Sequence, residues 1–418
     1  MDHFSLTGGQ LFAEQVPLSR IADEVGTPVY VYSRGTLERH AHVFRDALSG
    51  VPRKHLAFAV KSNPNLAVLK VLANCGYGAD VVSGGELDRA LAAGIAPADI
   101  VFSGVGKTAD EMRQALAKRV GQFNIESEEE GTMLAEVADG MGLTAAAVLR
   151  INPDVDAGTH AKISTGKADN KFGVGLHIGP GIYQRLSALP GIGLRGVAVH
   201  IGSQLLSLDP LEAAFGKIGQ LVGELRSAGH AISHVDLGGG LGVPYQAGTI
   251  PPSPADYGAL VARITRDWDA VIQFEPGRVI AGNAGVLLTR VVRVKPGVLH
   301  PFVVVDAAMN DLARPALYDA WHDFEAVTPG GSRMTANIVG PVCESGDTFA
   351  MGREIDTVRA GDLAIFRTAG AYGATMASSY NSRAIVAEVL VDQDRFAVVA
   401  NRISPAEIMA AEHVPDWL

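Results

Sequence analysis

The sequence predicts an α/β protein, a (β/α)8 barrel of the TIM type followed by a smaller β-rich domain. Short apolar runs alternate with helix-like stretches between residues 30 and 280, and eight such runs can be counted. After Arg278 the helices give way to β-rich runs broken by Gly and Pro. Strand–helix alternation builds a parallel sheet with crossover helices, and eight repeats over about 250 residues close it into a barrel. At 418 residues the chain exceeds one ordinary domain, so residues 30–280 are expected to form the barrel and 281–418 the β-domain. Residues 1–29 hold no complete strand–helix unit and are free to add an element to the second domain.

The barrel strands follow in order, each with polar residues at its C-terminal end. Leu56–Val60 leads into Lys61, Ala79–Val82 carries Asp80 and leads into Ser83, and Ile100–Ser103 ends on Ser103. Gln122–Ile125 is fourth, and Ala146–Ile151 leads into Asn152. Val197–Ile201 carries His200 and precedes Ser203, His234–Leu237 runs into Gly238-Gly239-Gly240, and Val271–Phe274 leads into Glu275 and Arg278. Active sites of such barrels lie on that face, so these ends are the candidate site. Beyond it, Gly285–Val294, Phe302–Val305, Asp362–Phe366 and Ala384–Val391 are the expected strands of the second domain.

Composition narrows the function. With 47% hydrophobic and 19% charged residues the chain can bury a large core, and a net charge of -10 argues against a nucleic-acid partner. Met1–Gln15 lacks a basic region followed by an apolar stretch, and no run approaches a membrane span, so a soluble cytoplasmic protein is expected. Cys75 and Cys343 are too few and too far apart for a disulfide framework or a cysteine zinc site, and no metal is expected. Cys75, just before Gly76, reads as an inert packing residue at a helix end.

A lysine after an apolar strand usually reaches solvent. Lys61 gains weight from Gly238-Gly239-Gly240-Leu241-Gly242 after the seventh strand, because barrel phosphate sites recur after strands seven and eight. Glu275, emerging from an apolar strand within Phe274-Glu275-Pro276-Gly277-Arg278, needs a cationic partner. A pyridinium nitrogen would supply one, with an ion pair to Arg278 as the plain alternative. A carboxylate there keeps a pyridoxal ring protonated and able to act as an electron sink. His200 is placed to stack on a planar ring, although a lone histidine is more often a satisfied core residue.

With these residues in place, the sequence resembles diaminopimelate decarboxylases, which share the alanine-racemase-like fold type of pyridoxal-phosphate enzymes. The likeness covers nearly the whole chain and is carried by Phe58–Asn63, His200–Gln204, Gly238–Gly242, Glu275–Arg278, Met309–Tyr318, Cys343–Asp347 and Gly370–Gly373. A further stretch from Asn152 through Thr159-His160 to Lys171-Phe172-Gly173 also resembles the family, without a catalytic role. Ser379 and Ala384 stand where the family usually has Asn and Pro.

The resemblance implies pyridoxal 5'-phosphate as cofactor, attached to Lys61 and contacted by Asp80, His200, Ser203, Gly238, Gly239, Gly240, Glu275, Pro276, Gly277, Arg278 and Tyr372. It implies substrate contacts from Arg278, Arg314, Tyr318, Glu344 and Tyr372, which suits a substrate carrying an amino-acid group at each end. It also implies that Cys343 protonates the product carbon, with Cys343 and Glu344 reaching the neighbouring subunit's site in a homodimer. The expected reaction is decarboxylation of meso-2,6-diaminopimelate to L-lysine, the last step of lysine biosynthesis. The alternatives are a related decarboxylase acting on carboxynorspermidine, arginine, ornithine or a specialised diamino acid, then a racemase or an inactive binding homologue.

Overall fold

The computed structural model describes residues 2–158, 165–166 and 170–418; Thr159 and His160 of the resembling stretch lie outside them. Two compact units are present, one of Glu38–Val243 with Ile250–Ile280, the other of Met1–Leu37, Pro244–Thr249 and Ala281–Leu418.

The first unit is the barrel. Its strands are β1 (Lys54–Ala59), β2 (Gly78–Val81), β3 (Ile100–Phe102), β4 (Gln122–Ile125), β5 (Ala145–Asn152), β6 (Ile192–Val199), β7 (His234–Asp236) and β8 (Val271–Phe274). They pair in parallel in chain order, and β8 pairs with β1 to close the ring. Several loops leaving the strands supply the cap of the next helix: Asn65 accepts from Ala67 N–H, Ser83 from Glu86 N–H, and Thr108 forms a reciprocal capping box with Glu111. Ser83, placed by the sequence on the face of chemistry, is therefore occupied as a helix cap.

The second unit is built on a sheet in the order Thr348–Asp356, Arg333–Val339, Phe302–Val305, Gly285–Lys295, Val29–Ser33, Ala387–Asp392, Arg395–Ala400. Val29–Ser33, buried at every position, is the difference from the expected boundary at residue 30. It pairs antiparallel with Gly285–Leu288 and parallel with Ala387–Val391, so this run belongs to the β-rich sheet and the barrel unit begins at Glu38. The first 29 residues add a hairpin, Phe4–Thr7 with Gln10–Ala13, and the helix Leu18–Val25. Their Phe4, Leu11, Val16, Leu18 and Ile21 share one buried cluster with Val286, Ile365 and Val389.

Candidate active site

Strand β1 stops at Ala59, and Val60–Ser62 form a single 3-10 turn that carries Lys61. The Lys61 ammonium donates to Asp80 Oδ2 at 2.9 Å. Asp80 is fully buried on β2, whereas the Lys61 side chain is 37% exposed, so a sealed carboxylate holds the amine of a partly open side chain. Lys61 lines a cavity of about 350 Å³ whose wall includes Ser103, Arg150, His200, Asp236 and Glu275.

His200 is the first residue past β6, and its Nδ1 accepts from Gly239 N–H at 3.3 Å, which leaves the ring proton on Nε2. Burial pushes the imidazole well below its ordinary range, and the Arg150 and Lys61 charges push it the same way. The ring is therefore neutral and planar. The glycine run is demanded by crowding at the ends of β6, β7 and β8. A Cβ on Gly238 would meet Val199 O at 2.7 Å, one on Gly239 would meet Glu275 O at 2.2 Å, and one on Gly240 would meet Gly202 O at 2.5 Å. Gly238 N–H is engaged by Asp236 Oδ1 at 2.8 Å. With Gly239 N–H on His200, Gly240 is the member whose N–H has no partner among the described residues. Beside it Arg278 directs Nε and Nη2 at Ser203 Oγ, at 3.2 and 3.1 Å. The Glu275–Arg278 segment is tied to β1 because Ala59 N–H donates to Pro276 O at 3.1 Å.

Glu275 leaves β8 into this buried setting, where its Oε1 accepts from Asn124 Nδ2 at 3.1 Å and from Ser103 Oγ at 3.4 Å. Burial raises its carboxyl well above the usual range, and the negative charges of Asp236 and Asp80 add to the effect against the pull of Lys61. A carboxyl that holds a proton in a dry pocket is matched to a heteroaromatic nitrogen, which takes that proton and leaves a charge-assisted pair. An attachable amine, a neutral flat ring, an anion-ready rim and this acid together fit pyridoxal phosphate.

Sequence reasoning missed a second layer. Glu126 Oε1 accepts from Arg150 Nη1 at 2.7 Å and from Gly104 N–H at 3.2 Å, and its Oε2 accepts from Gly173 N–H at 2.9 Å. Behind it the buried Lys107 donates to Glu130 Oε1 at 2.6 Å, Asn124 O at 2.9 Å and Gly104 O at 2.5 Å. One signal was available: Arg150 interrupts the apolar strand Ala145–Asn152 and had to find an anion.

In the β-rich unit Arg314 opens a short helix, Arg314–Tyr318, and is buried. Its guanidinium lies 4.2 Å from the Tyr245 ring centroid and contacts His322 Nε2 at 2.8 Å, so it is no ordinary surface charge. Tyr318 is the last residue of that helix. Cys343 and Glu344 are exposed, and Cys343 N–H donates to Asn381 Oδ1 at 3.0 Å. Asp347 holds their loop by accepting Val342 N–H and Met309 N–H, both at 2.6 Å. Tyr372 adopts a left-handed φ of 56°. The loop bearing Ser379 and Ala384 is anchored by Ser378 N–H on Asn310 O at 2.9 Å and by Arg383 on Asp306 O at 2.5 Å. Among the described residues no helix is long and apolar enough to cross a membrane, and no group of three or more His, Cys, Asp or Glu could hold a metal.

Residues 34–282 match the family model described as the pyridoxal binding domain of pyridoxal-dependent decarboxylases. The chain is 52% identical to the diaminopimelate decarboxylase of Zymomonas mobilis, with 99% of each chain covered. It is similar in structure to the diaminopimelate decarboxylase of M. jannaschii in co-complex with L-lysine, with a TM-score of 0.96 at 33% identity over 100% of this chain and 99% of that one. The diaminopimelate decarboxylase of Helicobacter pylori complexed with L-lysine gives a TM-score of 0.91 at 36% identity over 94% and 98% of the two chains. The chain thus belongs to the diaminopimelate decarboxylase family of pyridoxal-dependent decarboxylases.

Proposed function

We propose that the protein removes carbon dioxide from meso-2,6-diaminopimelate and releases L-lysine, with pyridoxal 5'-phosphate attached at Lys61. The observation that carries this is the Lys61 amine, paired with buried Asp80 and open to the same cavity as Glu275 and His200. Bound there, the cofactor supplies an electron sink for the pair left when carbon dioxide departs. Asp80 steadies the amine when it carries a proton, Glu275 holds the proton at the ring nitrogen, and His200 offers a neutral flat face. The Gly240 N–H, Ser203 and Arg278 are suited to the phosphate, and Pro276 and Gly277 position Glu275 and Arg278 around it.

Arg314, fixed by Tyr245 and His322, supplies the planar cation for a distal carboxylate, with Arg278, Tyr318 and Tyr372 as further substrate contacts. Glu344 supplies the anion for a distal ammonium. The Cys343 thiol gives its proton to the carbon that lost the carboxylate. Exposure of Cys343 and Glu344 supports their contribution to a second subunit's site, so the active form is a homodimer. Two widely separated cysteines fit a reducing cytoplasm.

Purified protein is incubated with meso-diaminopimelate, lysine, ornithine and arginine, and carbon dioxide and products are measured. Lysine formed from diaminopimelate alone is the expected result. Activity confined to ornithine or arginine would overturn the substrate. Dependence of turnover on Cys343 is read from Cys343→Ala, and normal turnover in that variant would remove the thiol from the reaction.

A further inference from the structure

Barrel interiors are ordinarily filled by branched apolar side chains. Here Gln122, Asn124, Asp236, Gln273 and Glu275 are 1%, 3%, 1%, 3% and 8% exposed, so a polar column runs through the dry interior. It has a fixed direction. The Arg195 guanidinium can only donate, and its Nη2 lies 3.0 Å from Gln122 Oε1. Gln122 must then present Nε2 to Asn124 Oδ1, 2.8 Å away, and Asn124 must turn Nδ2 toward the carboxylates. From there Nδ2 reaches Asp236 Oδ2 at 2.9 Å and Glu275 Oε1 at 3.1 Å. On the other side His55 Nδ1 meets Gln273 Oε1 at 3.2 Å, and Gln273 Nε2 donates to Asp236 Oδ2.

The two carboxyls are unequally served. Asp236 receives Gly238 N–H, Asn124 and Gln273, whereas Glu275 receives the shared Asn124 amide and the longer Ser103 contact. Two buried carboxyls that both accept from the Asn124 amide nitrogen cannot both carry charge cheaply, and the one with more donors keeps it. We propose that Asp236, aligned by Asn124 and Gln273, is a positioning residue that takes the negative charge and leaves the proton on Glu275, the carboxyl that faces the cofactor ring. The other charges facing Glu275 are Asp80, which acts in the same sense, and Lys61, which opposes it. The inference rests on Glu275 being the partner of the ring nitrogen.

The test follows the protonated-carboxyl infrared stretch of Glu275, identified by its loss in Glu275→Gln, across pH in full-length protein freed of cofactor. In Asp236→Asn, which keeps an accepting oxygen but no charge, the band should disappear about one pH unit or more below the parent. Disappearance at the same pH in both would overturn the proposal. So would a shift in Asp236→Ala with none in Asp236→Asn, since the role would then be hydrogen bonding without charge. If Glu275→Gln kept full activity and cofactor retention, the assignment of Glu275 to the ring nitrogen would fall, while the band would still decide whether Asp236 sets its proton.

Discussion

Replacing Lys107 with Met tests how the cavity wall is held. The Lys107 side chain is 0% exposed and its three donors are used by Glu130, Gly104 O and Asn124 O, so the variant strands a carboxyl and two carbonyls. Glu130 is already raised by burial, with Lys107 as the main opposing influence. Without the ammonium, the burial that raises Glu130 is no longer opposed by it, so in the folded variant the carboxyl holds its proton to higher pH than in the unfolded chain, where it ionises near about 4.3. The folded state then binds more protons than the unfolded one, so stability falls as pH rises, by about 1.4 kcal/mol per pH unit above that point. Two orphaned carbonyls add about 1 kcal/mol each. Removal of one partner of a buried pair costs about 3–5 kcal/mol in total at pH 7. At pH 5 most of the titration part is absent, so the cost falls toward that of the two orphaned carbonyls, about 2 kcal/mol. Urea denaturation of parent and variant at pH 5, 6 and 7, followed by circular dichroism, reads the difference. A cost that stays constant across that range, or lies below about 1 kcal/mol at pH 7, would refute the assignment of Lys107 and Glu130 as a mutually dependent buried pair.

The remaining predictions concern the site itself. Lys61→Ala should abolish both decarboxylation and the visible absorbance of the bound cofactor; a surviving band would place the attachment elsewhere. His200 should remain in the neutral Nε2–H form down to pH 6, because burial and the Arg150 and Lys61 charges lower its titration, and nitrogen-15 shifts of histidine-labelled protein check this. An imidazolium signal from His200 at pH 6 would contradict that environment. Arg314→Lys should raise KM for diaminopimelate roughly tenfold or more with a smaller effect on kcat, since an ammonium cannot reproduce the stacked, planar contact. Steady-state kinetics with unchanged KM would remove Arg314 from substrate recognition.

Much of the barrel was legible because each strand is a short apolar run with a polar residue at its end. The fourth and eighth strands, Gln122–Ile125 and Val271–Phe274, coincide with the predicted runs. Val29–Ser33 was not among the expected strands, and the boundary at residue 30 cut through it. Its true partners, Gly285–Leu288 and Ala387–Val391, lie some 250 and 350 residues away, and local pattern carries no record of them. Arg333–Val339 and Thr348–Asp356 were missed because polar residues and a glycine interrupt them, Arg333, Thr335 and Asn337 in the first and Gly352, Arg353 and Glu354 in the second, which leaves only short apolar runs to betray them.

The site was legible only in its outermost layer, and the reason is physical. Lys61, His200, Gly238–Gly240 and Glu275 stand at strand ends, where residue type alone suggests chemistry. Asn124 and Gln122 sit inside a strand and look like residues of a wet face. They are instead among the driest polar groups of the protein, at 3% and 1% exposure. In a closed barrel one face of every strand points inward, and sequence alternation cannot tell an inward polar residue from an outward one. What distinguishes them is mutual satisfaction. Each amide in the column has one orientation because its neighbour can only donate or only accept, and that chain of constraints ends on Glu275. An isolated buried glutamine would cost stability, but this set is retained as a unit because the side-chain amides of Gln122, Asn124 and Gln273 each meet an acceptor. A substitution anywhere along the column should therefore be felt at Glu275 before it is felt in the strand that carries it.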